Sequence, residues 1–207
     1  MPIVNNKVEP LELPRKHARV IFDNSRKWRF RTLHGGRNGG KDWAFASALI
    51  ERAVRVKTRV LCTREIQNTI QDSIKTLLED TINRLGYSMY FTVTKAEIVG
   101  SNGSNFIFRG LRDLNAENIK SLEGVDICML GEAQNTTKKS WHILNPTIRK
   151  PGSEIWIQFN DQFDDDFIYD EVSKSPEERT ITMQACSHTY AQGSFKQWSV
   201  KTDKTPY

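Results

Sequence analysis

Short apolar runs alternate along this chain with longer stretches whose apolar residues recur every three or four positions. Residues 26–33 mix basic and bulky side chains, alternating from Lys27 to Arg31, and read as a strand that runs straight into glycines. Residues 42–55, rich in alanine and carrying Trp43, Leu49, Ile50 and Val54, predict a helix. Residues 58–63 predict a buried strand. The clearest helical period follows: Ile66, Ile70, Ile74, Leu77, Leu78, Ile82 and Leu85, with Gly86 as the stop. Residues 87–110 hold short β-like runs around a turn at Gly100-Ser101-Asn102-Gly103, and Phe106-Ile107-Phe108 is the strongest of them. Residues 125–130 predict a second buried strand, 136–148 a helix disturbed by Asn145-Pro146, and 154–159 a third strand. Before residue 25, Pro10 and Pro14 predict an irregular lead-in; from Gln192 onward the chain is polar and Lys-rich, a loose tail.

Strands alternating with helices predict an α/β fold with a mostly parallel sheet, whose ligands bind at the carboxyl ends of the strands. Two such ends carry candidate chemistry: the glycines at 35–40, and Gly131-Glu132. The 207 residues suit one domain and suffice for a full core. A surplus of 30 Lys and Arg over 25 Asp and Glu, a net charge of +5, permits a polyanionic partner without establishing one. No apolar run approaches the roughly 18 residues that span a bilayer, and the N-terminus has no secretory pattern. Three cysteines without a CxxC pair suggest neither zinc nor disulfides, so reduced intracellular thiols are expected. His17, His34, His142 and His188 lack metal-ligand spacing.

Gly35-Gly36-Arg37-Asn38-Gly39-Gly40-Lys41 fits the phosphate loop G-x-x-x-x-G-K between a predicted strand and a predicted helix. Glycines let backbone N–H groups surround an anion, and the helix N-terminus adds its dipole. Lys41 supplies the charge for the β- and γ-phosphates. The Ser or Thr that ends the motif and ligates Mg²⁺ is replaced by Asp42, a carboxylate that repels a triphosphate unless a metal stands between them.

The chain resembles the ATPase domain of the large terminase subunit of tailed phages, the motor that packages DNA into the procapsid. The loop type GGRGSGKS appears as Gly35-Gly36-Arg37-Asn38-Gly39-Gly40-Lys41-Asp42. Further similar segments begin at Leu61-Cys62-Thr63-Arg64, Lys120-Ser121-Leu122, Pro146-Thr147-Ile148 and Ser153-Glu154-Ile155, together covering about residues 29–160. The resemblance implies a P-loop NTPase three-layer sandwich with a mostly parallel, RecA-like central sheet. It implies ATP and Mg²⁺ as cofactors, with Gly35, Gly36, Arg37, Asn38, Gly39, Gly40, Lys41 and Asp42 binding nucleotide. Arg37 matches an arginine that senses or stabilises the γ-phosphate. Glu132 matches the catalytic glutamate that deprotonates the attacking water. Asn160 matches the polar residue that couples hydrolysis to motion.

Gly131 stands where the family carries the Walker B acid. With Asp42, two metal-shell positions have changed, one carboxylate lost and one gained. Asp42 taking over Mg²⁺ ligation is one reading, since oxygen ligands suit Mg²⁺; decay of the site is the other. Reversion separates them: Asp42→Ser alone lowers activity under exchange, whereas Asp42→Ser with Gly131→Glu raises it under decay. An adenine-reading glutamine upstream of the loop is missing, and the family's nuclease domain is expected to be absent. The acidic residues Asp161, Asp164, Asp165 and Asp166 read as a solvated loop. Arg15, Lys16, Arg19, Arg26, Lys27, Arg29 and Arg31 read as a solvated basic stretch, with DNA phosphates as the sharper alternative. Cys62 and Cys128 read as buried small hydrophobes, and the tryptophans as packing.

The expected organisation is an ATPase domain over 1–188 and a polar tail over 189–207. The expected function is the ATP hydrolase of a motor that drives double-stranded DNA into the procapsid. Its expected partners are double-stranded DNA, the portal protein, the small terminase subunit and further copies in a ring, with no membrane. Its expected place is the host cytoplasm at the portal vertex. The alternatives are a non-hydrolysing nucleotide- or DNA-binding relic of the same family, and a ligand-free scaffold.

Overall fold

Three of the apolar runs form strands that are covered on both faces, which is why they read as continuous rather than alternating. They are β2 (Arg59–Arg64), β6 (Ile127–Leu130) and β7 (Glu154–Phe159). A computed structural model describes residues 11, 13–66, 70–114, 122–160, 167–173 and 180–185. Around these strands it places β1 (Phe30–Gly35), β3 (Phe91–Val93), β4 (Glu97–Gly100), β5 (Asn105–Gly110) and β8 (Thr180–Ala185). The helices are α1 (Arg15–Phe22), α2 (Lys41–Arg55), α3 (Thr76–Arg84), α4 (Lys138–Thr147) and α5 (Phe167–Ser173). One eight-stranded sheet runs in the order β3-β4-β5-β2-β6-β7-β1-β8. β4 runs antiparallel to both of its neighbours, β3 and β5, and the other pairs are parallel. The expected three-layer α/β sandwich with a mostly parallel sheet is observed.

The period of two along each strand divides the core between the faces. Val60, Cys62, Ile127, Met129 and Trp156 pack on one side with Phe45, Leu49 and Ile50 of α2 and Leu78 and Ile82 of α3. Leu61, Cys128, Leu130, Ile155 and Ile157 pack on the other with Trp141 and Leu144 of α4. Cys62 and Cys128 are both buried, as expected, and burial raises both thiols, Cys128 to about 12.

Several elements differ from the sequence reading. Residues 15–22 are helical, not irregular. Pro14 sits before the first turn, where a missing N–H costs nothing, and its carbonyl accepts from the Ala18 N–H at 3.0 Å. His17, Ala18, Val20 and Ile21 face inward. The strand expected over 26–33 begins only at Phe30. β8 and α5 have no counterpart among the expected elements.

The helix expected over 66–85 is interrupted. Ile66 lies in a bend and is exposed, Gln71–Lys75 form a π-helical turn, and α3 follows. Ile70, Ile74, Leu78, Ile82 and Leu85 stay buried across this turn, so the expected apolar face is kept; π turns are frequent beside functional sites. Gly86 ends α3 as expected, with φ +77, and a Schellman pair closes the end: Tyr87 N–H to Ile82 O at 2.9 Å and Gly86 N–H to Asn83 O at 3.1 Å.

Two members of the basic N-terminal stretch are structural, which overturns both readings for them. Arg31 is 3% exposed; its Nε pairs with Glu154 Oε2 at 2.5 Å, and its Nη1 donates to the carbonyls of Val20 and Asp23. Arg29 donates to the carbonyls of Asn145, Ile148 and Ser153, holding the end of α4. The last carbonyls of a helix lack intrahelical partners, and these two arginines serve them at the ends of α1 and α4. Arg15, Lys16, Arg19, Arg26 and Lys27 are exposed. The acidic run 161–166 and the tail 189–207 lie outside the described residues.

Candidate functional site

Across the sheet, the carboxyl ends of β2, β6, β7 and β1 lie side by side. Each delivers a polar group: Arg64 from β2, Glu132 just past β6, Asn160 just past β7, and the glycine loop past β1. They line one cleft of about 610 Å³ with Arg37, Lys41, Asp42, Trp43 and Leu77. Asn38, Gly39 and Gly40 line it as well, whereas Gly35 and Gly36 lie behind and offer their carbonyls.

The loop's conformation explains its composition. Gly35 has φ +130 and Gly40 φ +69, values that favour glycine, and Asn38 at φ +61 takes the left-handed region that asparagine tolerates best among the others. Gly40 then caps α2, whose first residue is Lys41. Lys41 is buried, and its Nζ donates to Gly35 O at 3.1 Å, Gly36 O at 2.7 Å and Asn160 Oδ1 at 3.0 Å. Asn160 therefore touches the lysine directly. Its own N–H donates to Gln134 Oε1 at 3.2 Å, tying β7 to the turn after Glu132.

Glu132 is the second residue outside glycine with positive φ, +48. Its N–H donates to Gln158 Oε1 at 3.0 Å, and its Oε1 pairs with Arg64 Nη1 at 3.0 Å. A strained backbone at a strand end is where a side chain is aimed into a cleft at some energetic cost. Burial pushes the Asp42 carboxyl above its usual range; Lys41 and Arg64 pull it back, and Glu132 opposes them. No side chain among the described residues donates a hydrogen bond to Asp42.

The match to known proteins agrees with this geometry. The family model described as phage terminase large subunit matches residues 27–200. The chain belongs to the phage terminase large subunit family. No curated protein matches it. The fold is similar to that of the large terminase of a thermophilic bacteriophage, at TM-score 0.66 and 12% identity, covering 86% of this chain and 46% of that one. A complex of the same thermophilic phage's large terminase with ADP is similar at TM-score 0.62 and 12% identity, covering 84% of this chain and 46% of that one. A point variant of the Thermus phage P74-26 large terminase ATPase domain is similar at TM-score 0.57 and 16% identity, covering 84% and 82% of the two chains. This terminase chain spans 46% of the length of the thermophilic phage's large terminase.

Of the anticipated site residues, Arg37, Asn38, Gly39, Gly40, Lys41, Asp42, Glu132 and Asn160 line the cleft of this terminase chain, whereas Gly35 and Gly36 do not. The sequence gives Arg64 and Gln158 no role beyond a place in similar segments, and it does not mark Gln134. The signal for Arg64 is a lone cation at the carboxyl end of a predicted strand. Glu65 likewise has no role in the sequence beyond its place in that segment. It is buried and accepts from Thr137 N–H and from the hydroxyls of Thr137 and Ser140, which fastens the start of α4 to the end of β2. Among the described residues no cluster of three or more His, Cys, Asp and Glu exists, and no helix is long and apolar enough to cross a membrane. For Mg²⁺, which takes one or two carboxylates beside substrate phosphates, a half-buried carboxylate in the cleft without a side-chain donor fits; Asp42 is that residue.

Proposed function

We propose that this chain binds ATP with Mg²⁺ in the cleft, hydrolyses it, and so powers the movement of double-stranded DNA into a procapsid. The observation that carries the reading is the convergence of the loop, Glu132 and Asn160 at adjacent strand ends. The complexes of the thermophilic phage's large terminase with ADP and with ATP-γ-S support nucleotide as the ligand. In this reading the loop N–H groups and Lys41 hold the phosphates, and Asp42 holds Mg²⁺. The metal, when bound, neutralises phosphate charge. Glu132 orients the attacking water and accepts its proton. Arg37, exposed on the loop, meets charge developing on the γ-phosphate. Asn160, already bonded to Lys41, senses whether that lysine is engaged and passes the change to β7.

The wider role follows the same family. A ring of copies surrounds the DNA, with the portal protein and the small subunit as partners at the portal vertex in the host cytoplasm. The ATPase domain occupies 1–188 and the tail 189–207. A second reading, a relic that binds nucleotide without hydrolysis, is favoured by one observation, the missing acid at Gly131.

Equilibrium titration with ATP-γ-S in Mg²⁺ and in EDTA tests the first step. Binding that needs Mg²⁺ and is lost in Lys41→Ala is expected. Binding unchanged by Lys41→Ala contradicts the assignment.

A further inference from the structure

Gly131 is not glycine for the sake of its backbone, because its φ lies outside the left-handed region. Its space is what matters. A Cβ there would stand 3.1 Å from Ile74 Cδ1, 3.3 Å from Arg64 Nε and 3.7 Å from Arg64 Cγ. The first two are closer than ordinary van der Waals contact. The Arg64 side chain thus crosses the end of β6 where a side chain at 131 would lie. It is 13% exposed, and its Nε is buried without a hydrogen-bond partner among the described residues. What fixes the guanidinium is packing on Gly131 and Ile74 together with its pair to Glu132. That pair matters because the Glu132 side chain is 42% exposed and has little else to hold it.

We propose that Arg64 is the positioning residue of Glu132, and that Gly131 is glycine so that Arg64 can lie across it. The proposal rests on the reading of Glu132 as the base. Glu132 is then anchored twice, its backbone by Gln158 and its carboxylate by Arg64. The change at Gly131 is not a simple loss. Restoring an acid there puts new atoms where Arg64 lies and frees Glu132.

The test uses the full 207-residue chain as wild type, Gly131→Ala, Arg64→Gln, Arg64→Lys and the Gly131→Ala/Arg64→Gln double variant. Phosphate release, ATP-γ-S binding and thermal melting are measured on each. Either Gly131→Ala or Arg64→Gln is expected to lower kcat about tenfold or more, with KM and ATP-γ-S affinity within about threefold, the signature of lost transition-state positioning. The double variant is expected to be no slower than Arg64→Gln alone, because the methyl acts only through Arg64. Arg64→Lys, which keeps the charge without the guanidinium's planar fork, is expected to retain part of the activity that Arg64→Gln loses. Wild-type kcat in Gly131→Ala, multiplying losses in the double variant, or joint loss of melting temperature and ATP-γ-S binding would each overturn the proposal. A wild-type chain without turnover overturns this inference and the proposed function together. A working wild type with an indifferent Gly131→Ala overturns this inference alone.

Discussion

Asp42 sits one residue past Lys41 in the first turn of α2, where burial disfavours its charge and Lys41 and Arg64 favour it. A carboxylate kept there without a side-chain donor destabilises the fold unless something else uses it. Asp42→Ser is therefore expected to weaken the Mg²⁺-dependent part of ATP-γ-S binding by about tenfold or more, read by titration at several Mg²⁺ concentrations. Adding Gly131→Glu to it is expected to give no gain in phosphate release, because Arg64 and Ile74 fill the space beside that Cα. A double reversion that outpaces wild type would support decay of the site instead. These residues also show how far the sequence is readable. The loop, Glu132 and Asn160 follow from motif and order. Arg64 does not, because it packs against Gly131, a residue distant in sequence that lies just past β6.

Two polar side chains near the N-terminus, His17 and Arg29, are part of the packing rather than the surface. α1 buries His17, whose pKa is lowered to about 4 by burial first and then by Lys41 and Lys16. A histidine held neutral in the fold but free to charge when unfolded contributes stability above its ordinary 6.5, and that stability falls as pH drops from there toward 4. Stability is expected to fall over that window by up to about 3 kcal/mol, read as a falling melting temperature, and His17→Leu is expected to flatten the dependence. An unchanged acid limb in His17→Leu would show that another group titrates.

Arg29 is the other such side chain. Arg29→Ala removes a donor from three carbonyls and is expected to cost about 2–4 kcal/mol, or several degrees of melting temperature. Arg26→Ala and Lys27→Ala, both exposed, are expected to change melting little. The contrast explains what is hidden at this scale. β2, β6 and β7 are legible because both their faces are buried. α1 is masked by Pro14, and the start of β1 by cations that serve carbonyls. β8, an edge strand reading Thr-Ile-Thr-Met-Gln-Ala, lacks the continuous apolar run that marks the inner strands.

For the whole molecule, the parallel order of β5-β2-β6-β7-β1-β8 puts every candidate group at one edge of the sheet and leaves the opposite edge without them. A net charge of +5 and exposed cations on α1 suit contacts to a DNA backbone. Binding to double-stranded DNA is expected to be indifferent to sequence and to weaken steeply with salt, the mark of phosphate contacts. Equal affinity at low and high salt, in a fluorescence titration, would contradict a packaging role for that surface. The family and the three-layer sandwich are both legible from the loop and the ordered segments after it. Whether the cleft hydrolyses ATP is not, because that depends on how Asp42, Arg64 and Gly131 sit beside Glu132. Phosphate release from ATP in Mg²⁺ by wild type and by Glu132→Ala, at saturating nucleotide, addresses that point most directly. Steady turnover in wild type that falls about a hundredfold or more in Glu132→Ala, with ATP-γ-S binding retained, is the predicted result. No turnover in wild type, or turnover indifferent to Glu132, would contradict it.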